Sequence, residues 1–114
     1  MLTTSEQLEL QVERILRGLR IGGKLKGLKY LVYAISETVR DPNRTELITK
    51  ILYSEIAAQY DSKPGRVERD IRFAVRTCWV AAREELIQIA GYDLDEPPTN
   101  REFIDLVAFY IRSK

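Results

Sequence analysis

Apolar residues recur along this chain at spacings of three and four, the period of a helix face, and nowhere alternate long enough to make a strand. Over residues 5–20 the stripe is Leu8, Val12, Ile15, Leu16 and Leu19, and Thr4 with Gln7 has the spacing of a capping box. Ile21-Gly22-Gly23 follows. Adjacent glycines readily take the left-handed conformation that ends a helix, so the break is expected there. A second helix is predicted over 24–39 from Leu28, Leu31, Val32, Ile35 and Val39. Asp41-Pro42 stops it, because the residue before a proline is disfavoured in the helical region. Asn43 and Glu46 have capping spacing for a third helix through Leu47, Ile48, Ile51 and Leu52.

The stretch 53–60 reads as a separate short helix with Ile56 and Ala57 turned inward, and 61–65 as a tight turn. Ser62 is a candidate cap for the next helix, and Pro64 suits its first turn, where no intrahelical donor is needed. From Lys63 to about Ala82 the pattern stays helical. Val67, Ile71, Ala74 and Cys78 share one face, which leaves Arg66, Arg69, Arg72, Phe73 and Arg76 on the outward arc. Residues 84–90 form a further short helix ending at Gly91, and an acidic loop closes at Pro97-Pro98. Thr99 and Glu102 make the clearest capping box, opening a last helix through Phe103, Ile104, Leu106, Val107 and Tyr110 or Ile111. The expectation is an all-α protein of about six helices with a helix-turn-helix unit, and 114 residues suit one domain.

Composition narrows the chemistry. The chain has one cysteine, Cys78, and no histidine, so neither an internal disulfide nor a Cys/His zinc cluster is expected. Missing histidine also removes the commonest general base, and the acids Glu84, Glu85, Asp93, Asp95 and Glu96 match no calcium-loop spacing. No enzymatic activity, metal or cofactor is therefore expected. Cys78 and Trp79 are assigned to the core. No apolar run approaches the roughly 18 residues of a membrane span, and the first residues lack a leader pattern, so a cytoplasmic location is expected.

Net charge is only +1, but it is unevenly spread. Arg14, Arg17, Arg20, Lys24, Lys26 and Lys29 form a run without an acid. Lys63, Arg66, Arg69, Arg72, Arg76 and Arg83 face only Glu68 and Asp70, whereas acids dominate from Glu84 to Asp105. Two helices joined by a short turn, the second exposing arginines from its first turns, suit the major groove of DNA. Guanine offers two acceptors that match the arginine fork, and a glutamate can accept from a cytosine amino group or hold an arginine in place. Arg66, Glu68 and Arg69 are the candidate base readers. Lys63, Arg72, Arg76, Lys24 and Lys26 are candidates for phosphate contact, which adds affinity without sequence information.

Dispersed segments of the chain match a known pattern. They are Ile21-Gly22, residues 26–31, Ala34-Ile35, residues 48–53, Ile56-Ala57, residues 66–69, Ile71-Arg72, Ala74, Trp79, Gly91-Tyr92, residues 98–100 and 102–104. In these the chain resembles the DNA-binding effector domain of the stage-zero sporulation response regulator of endospore-forming bacteria. The resemblance implies a six-helix domain that reads a box of the TGTCGAA type, often in tandem, through Arg66, Glu68 and Arg69. It also implies pairing of two copies on tandem DNA sites. A contact with an RNA polymerase sigma factor is implied through the helix after Trp79, here Glu84, Glu85 and Gln88. Pro64, Gly65 and Phe73 depart from the residues usual in that family. Met1 lies a few residues before the first helix, so no receiver domain is expected in this chain. A second reading stays open, in which the same fold binds another regulator rather than DNA, anchored by the basic helix or by Phe73.

Overall fold

The computed structural model describes residues 1–43 and 49–114, and within these it contains six α-helices and no strand. They are α1 (Thr4–Gly18), α2 (Gly27–Arg40), α3 (Thr49–Gln59), α4 (Pro64–Ala81), α5 (Arg83–Ala90) and α6 (Asn100–Arg112). Among the described residues no helix is long and apolar enough to cross a membrane, and no group of three or more His, Cys, Asp or Glu side chains is placed to hold a metal ion.

Each helix starts and stops for a local reason, and several differ from the sequence expectation. The box that opens α1 is Thr3 with Glu6 rather than Thr4 with Gln7. Thr3 Oγ1 accepts from the Glu6 amide and Glu6 Oε1 from the Thr3 amide, both at 3.1 Å. A carboxylate also answers the positive end of the helix, which a glutamine does not. Hydrogen bonding to the Thr3 backbone amide, and then to the Thr3 side chain, holds the Glu6 carboxyl below its ordinary value. The helix ends before the glycine pair, with Arg20 itself left-handed at φ 67°. The Ile21 amide donates to Leu16 O and the Arg20 amide to Arg17 O, each at 3.0 Å, which closes a Schellman turn. Ile21 and Leu16 are both fully buried, so the apolar contact of that motif is made.

The second helix begins at Gly27, later than expected, which leaves Lys24 and Lys26 in the preceding turn. Ile51, Leu52 and residues 53–59 form one continuous helix where two were expected, since nothing between Leu52 and Tyr53 interrupts the backbone. The Asn43 and Glu46 capping box reaches into residues 44–48, outside the described residues. Ser62 does not cap α4. Lys63 is the N-cap residue, without a side-chain bond, and Pro64 opens the helix. At the other end of the chain the Thr99 and Glu102 box forms as expected, with bonds of 2.9 and 3.1 Å.

The core gathers one stripe from every helix. Val12, Leu16, Leu31, Ile35, Leu52, Ile56, Val67, Ile71, Cys78, Leu86, Phe103 and Val107 are all within 2% of full burial. The helices α2 and α4 are central, each touching four others: α2 packs on α1, α3, α4 and α6, and α4 on α2, α3, α5 and α6. Their mutual approach is unusually close at Gly27. A Cβ there would lie 2.5 Å from Asp70 O and 2.9 Å from Ala74 Cβ. Trp79 packs against the core as expected, but from its edge. It is half-buried, with the Arg83 guanidinium 4.3 Å from its ring centroid.

Two predictions come from this packing. Gly27→Ala is expected to destabilise by roughly 1–3 kcal/mol, because the contact is with backbone and cannot yield. Gly18→Ala, whose Cβ meets nothing within 4 Å, should be neutral or stabilising. Urea unfolding of both variants checks the contrast. Burial pushes the Cys78 thiol up from an ordinary 9.0 to about 12. The native chain should thus resist iodoacetamide at pH 8 and react once unfolded. Because the unfolded thiol ionises first, the native state holds more protons in this window. Stability should fall as pH rises from about 9 towards 12, and less steeply in Cys78→Ala, where only the buried tyrosines remain to contribute.

Candidate nucleic-acid interface

The turn between α3 and α4 is built by a second left-handed residue, Asp61, at φ 52°. The Ser62 amide donates to Ala57 O at 2.8 Å and the Tyr60 amide to Ile56 O at 3.0 Å, which terminates α3. Lys63 is extended at φ −121°, ψ 145°, and the proline ring after it sets the first helical φ. The joint is short and hydrogen-bonded, and this is the helix-turn-helix unit.

At 100° per residue, the buried stripe of α4, Val67, Ile71, Ala74, Val75 and Cys78, leaves a defined crest opposite. Arg69, Val80 and Arg76 lie closest to its centre line, with Phe73 and then Arg66 to one side, and all five are exposed. From Arg66 to Arg76 the crest runs about 15 Å along the axis. Lys63 is exposed at its beginning.

Both flanks of α4 are held by the N-terminus of another helix. On the Asp70 flank stands Gly27 of α2, at the contact described above. On the other flank stands Asn100, the first residue of α6, only 9% exposed. Its Nδ2 donates to Tyr53 Oη and to Glu68 O, both at 3.0 Å, and so ties α3, α4 and α6 together. Burial raises the Tyr53 phenol above its ordinary value, so it stays neutral at this junction.

The expected site residues divide accordingly. Arg66, Arg69 and Arg76 share the crest. Glu68 does not. It sits half-buried on the Asn100 flank, where its Oε1 accepts from Arg72 Nη1 at 2.6 Å. Glu68, Arg72 and Arg76 line an open groove of about 660 Å³ whose other wall includes Glu96, Asn100 and Arg101. Lys24 and Lys26 are exposed in the turn leading to Gly27, on the opposite flank. Lys26 is the N-cap of α2, which has no side-chain cap bond and no acid in its own first turn. Glu84, Glu85 and Gln88 stand apart on α5, all exposed. Helical periodicity had not singled out Gly27, Tyr53 or Asn100, because their importance lies in contacts across the fold.

The sequence model of the family described as sporulation initiation factor Spo0A, C terminal, matches residues 12–111. The chain belongs to that family. It is thereby a DNA-binding domain of the transcription-regulating, sporulation-initiation type.

The junction at Asn100 gives a prediction. Asn100→Ala leaves Tyr53 Oη and Glu68 O without their donor, an expected loss of roughly 1–3 kcal/mol. Tyr53→Phe removes only one acceptor and should cost less. Denaturant unfolding of both variants gives the order, and equal losses would show that the bond to Glu68 O contributes nothing.

Proposed function

We propose that α4 enters the major groove of duplex DNA, with Arg66 and Arg69 reading base edges. The observation that carries this reading is the crest itself, arginines at the positions furthest from the core on a helix held along both flanks. Each guanidinium can present two donors to guanine O6 and N7. Glu68 acts at the edge of the reading surface and holds Arg72 in position. Arg72, Arg76 and Lys63 contact phosphates along the groove walls. Lys24 and Lys26 contact a phosphate at the N-terminus of α2, where the helix dipole adds to their charge.

The box read is of the TGTCGAA type, and tandem copies of it bring two chains together on DNA. Glu84, Glu85 and Gln88, on an exposed acidic helix clear of the crest, form the contact with a polymerase sigma factor. The alternative role, recognition of another regulator, lacks support of comparable weight.

Reading and holding make different demands, and fluorescence anisotropy over a salt series separates them. Arg69→Ala is expected to lose roughly 1–3 kcal/mol of preference for the box over scrambled duplex. Lys26→Ala should weaken both duplexes alike and lower the slope of log affinity against log salt by about one unit. If Arg69→Ala weakened both duplexes equally and kept their ratio, Arg69 would not be a reading residue.

A further inference from the structure

Phe73 is the one crest residue between Arg66 and Arg76 whose chemistry the reading above does not use. It is 61% exposed, a large aromatic surface left in water beside Arg69 and Arg76. Arg66, Arg69 and Phe73 occupy the i, i+3 and i+7 positions of one helical face. A helix lying along the groove turns such a row to the bases. Phe73 stands about 10 Å beyond Arg66, or roughly three base steps of B-DNA.

A partner for this position must be anionic around an apolar point. The next exposed apolar residue on α4, Val80, lies about 10 Å further along with Arg76 between them. That spacing makes no continuous apolar patch of the kind a protein partner covers, whose centre is depleted of charge. The major groove has the required character. It is walled by phosphates, and its one apolar feature is the C5-methyl group of thymine.

We propose that Phe73 is a specificity-determining residue that recognises a thymine methyl group beside the bases read by Arg66 and Arg69. The proposal rests on the placement of α4 in the groove. Burying one methyl against the ring is worth roughly a fourfold gain in affinity.

The test uses the whole chain and the duplex recovered with it by selection from randomised DNA. Each thymine of that duplex is replaced in turn by uracil, which keeps the base pair and its acceptor and removes only the methyl. Wild type is expected to lose roughly fourfold at one thymine, Phe73→Ala to be indifferent to that replacement, and Arg69→Ala to remain sensitive to it. Far-UV circular dichroism confirms that the exposed substitution leaves the fold intact. The proposal is overturned if wild type binds every uracil duplex as tightly as the parent, or if Phe73→Ala keeps the same sensitivity. Failure of the underlying reading registers separately, as equal affinity for selected and scrambled duplexes before any uracil is introduced, and the proposal falls with it.

Discussion

The orientation of α4 depends on a grip applied to its backbone from two sides. Gly27 meets the Asp70 carbonyl on one flank, and the Asn100 amide donates to the Glu68 carbonyl on the other. Positions 68 and 70 are two residues apart, about 200° around the helix, so the two contacts oppose each other. Rolling the helix either way would drive Gly27 into backbone or pull Asn100 off its acceptor. The direction in which the crest arginines point is therefore set by main-chain contacts, while the arginines themselves remain exposed. A binding surface of this kind brings its scaffold pre-ordered to the partner and leaves only side chains to be arranged.

The two gripping elements are both helix N-termini, and they are treated differently. At α6 the positive end is satisfied internally by the Thr99 and Glu102 box, and hydrogen bonding to the Thr99 backbone amide, and then to its side chain, holds the Glu102 carboxyl below its ordinary value. At α2 no side chain caps the end, and exposed lysines gather there instead. One flank of the crest thus carries a capped helix end and the other a helix end without a side-chain cap. Glu68 plays a comparable part on the capped flank, where its pairing with Arg72 restrains one arginine and leaves Arg66, Arg69 and Arg76 to their surroundings. A chain of net charge +1 can present a basic surface because its charges are unevenly spread, with Glu68 and Asp70 the only acids among six basic residues from Lys63 to Arg83.

Helical class, the inward stripe of α4 and the Thr99 box were legible because each depends on residues within one turn of each other. The end of α1 was less legible. Arg20 and Asp61 take the left-handed positions that glycine would occupy more cheaply, at a penalty of roughly 1–2 kcal/mol for an ordinary residue. At Arg20 the two turn bonds and the burial of Ile21 against Leu16 offset that penalty. Neither bond can be read from the local preference of Arg20. The same limit applies to the pairing of Glu68 with Arg72, since spacing alone did not choose between a glutamate that accepts from a base and one that holds an arginine.

By itself the sequence determined that the chain is all-helical, that a turn precedes an arginine-bearing helix, and which face of that helix is apolar. Periodicity and capping are short-range, and chain neighbours alone decide them. Tertiary structure alone decided how α4 is rolled, which of its charged residues stand on the crest, and that residues as far apart as Gly27, Tyr53 and Asn100 hold it there. Those contacts join positions dozens of residues apart, and their energies depend on distances of a few tenths of an ångström that no local pattern encodes.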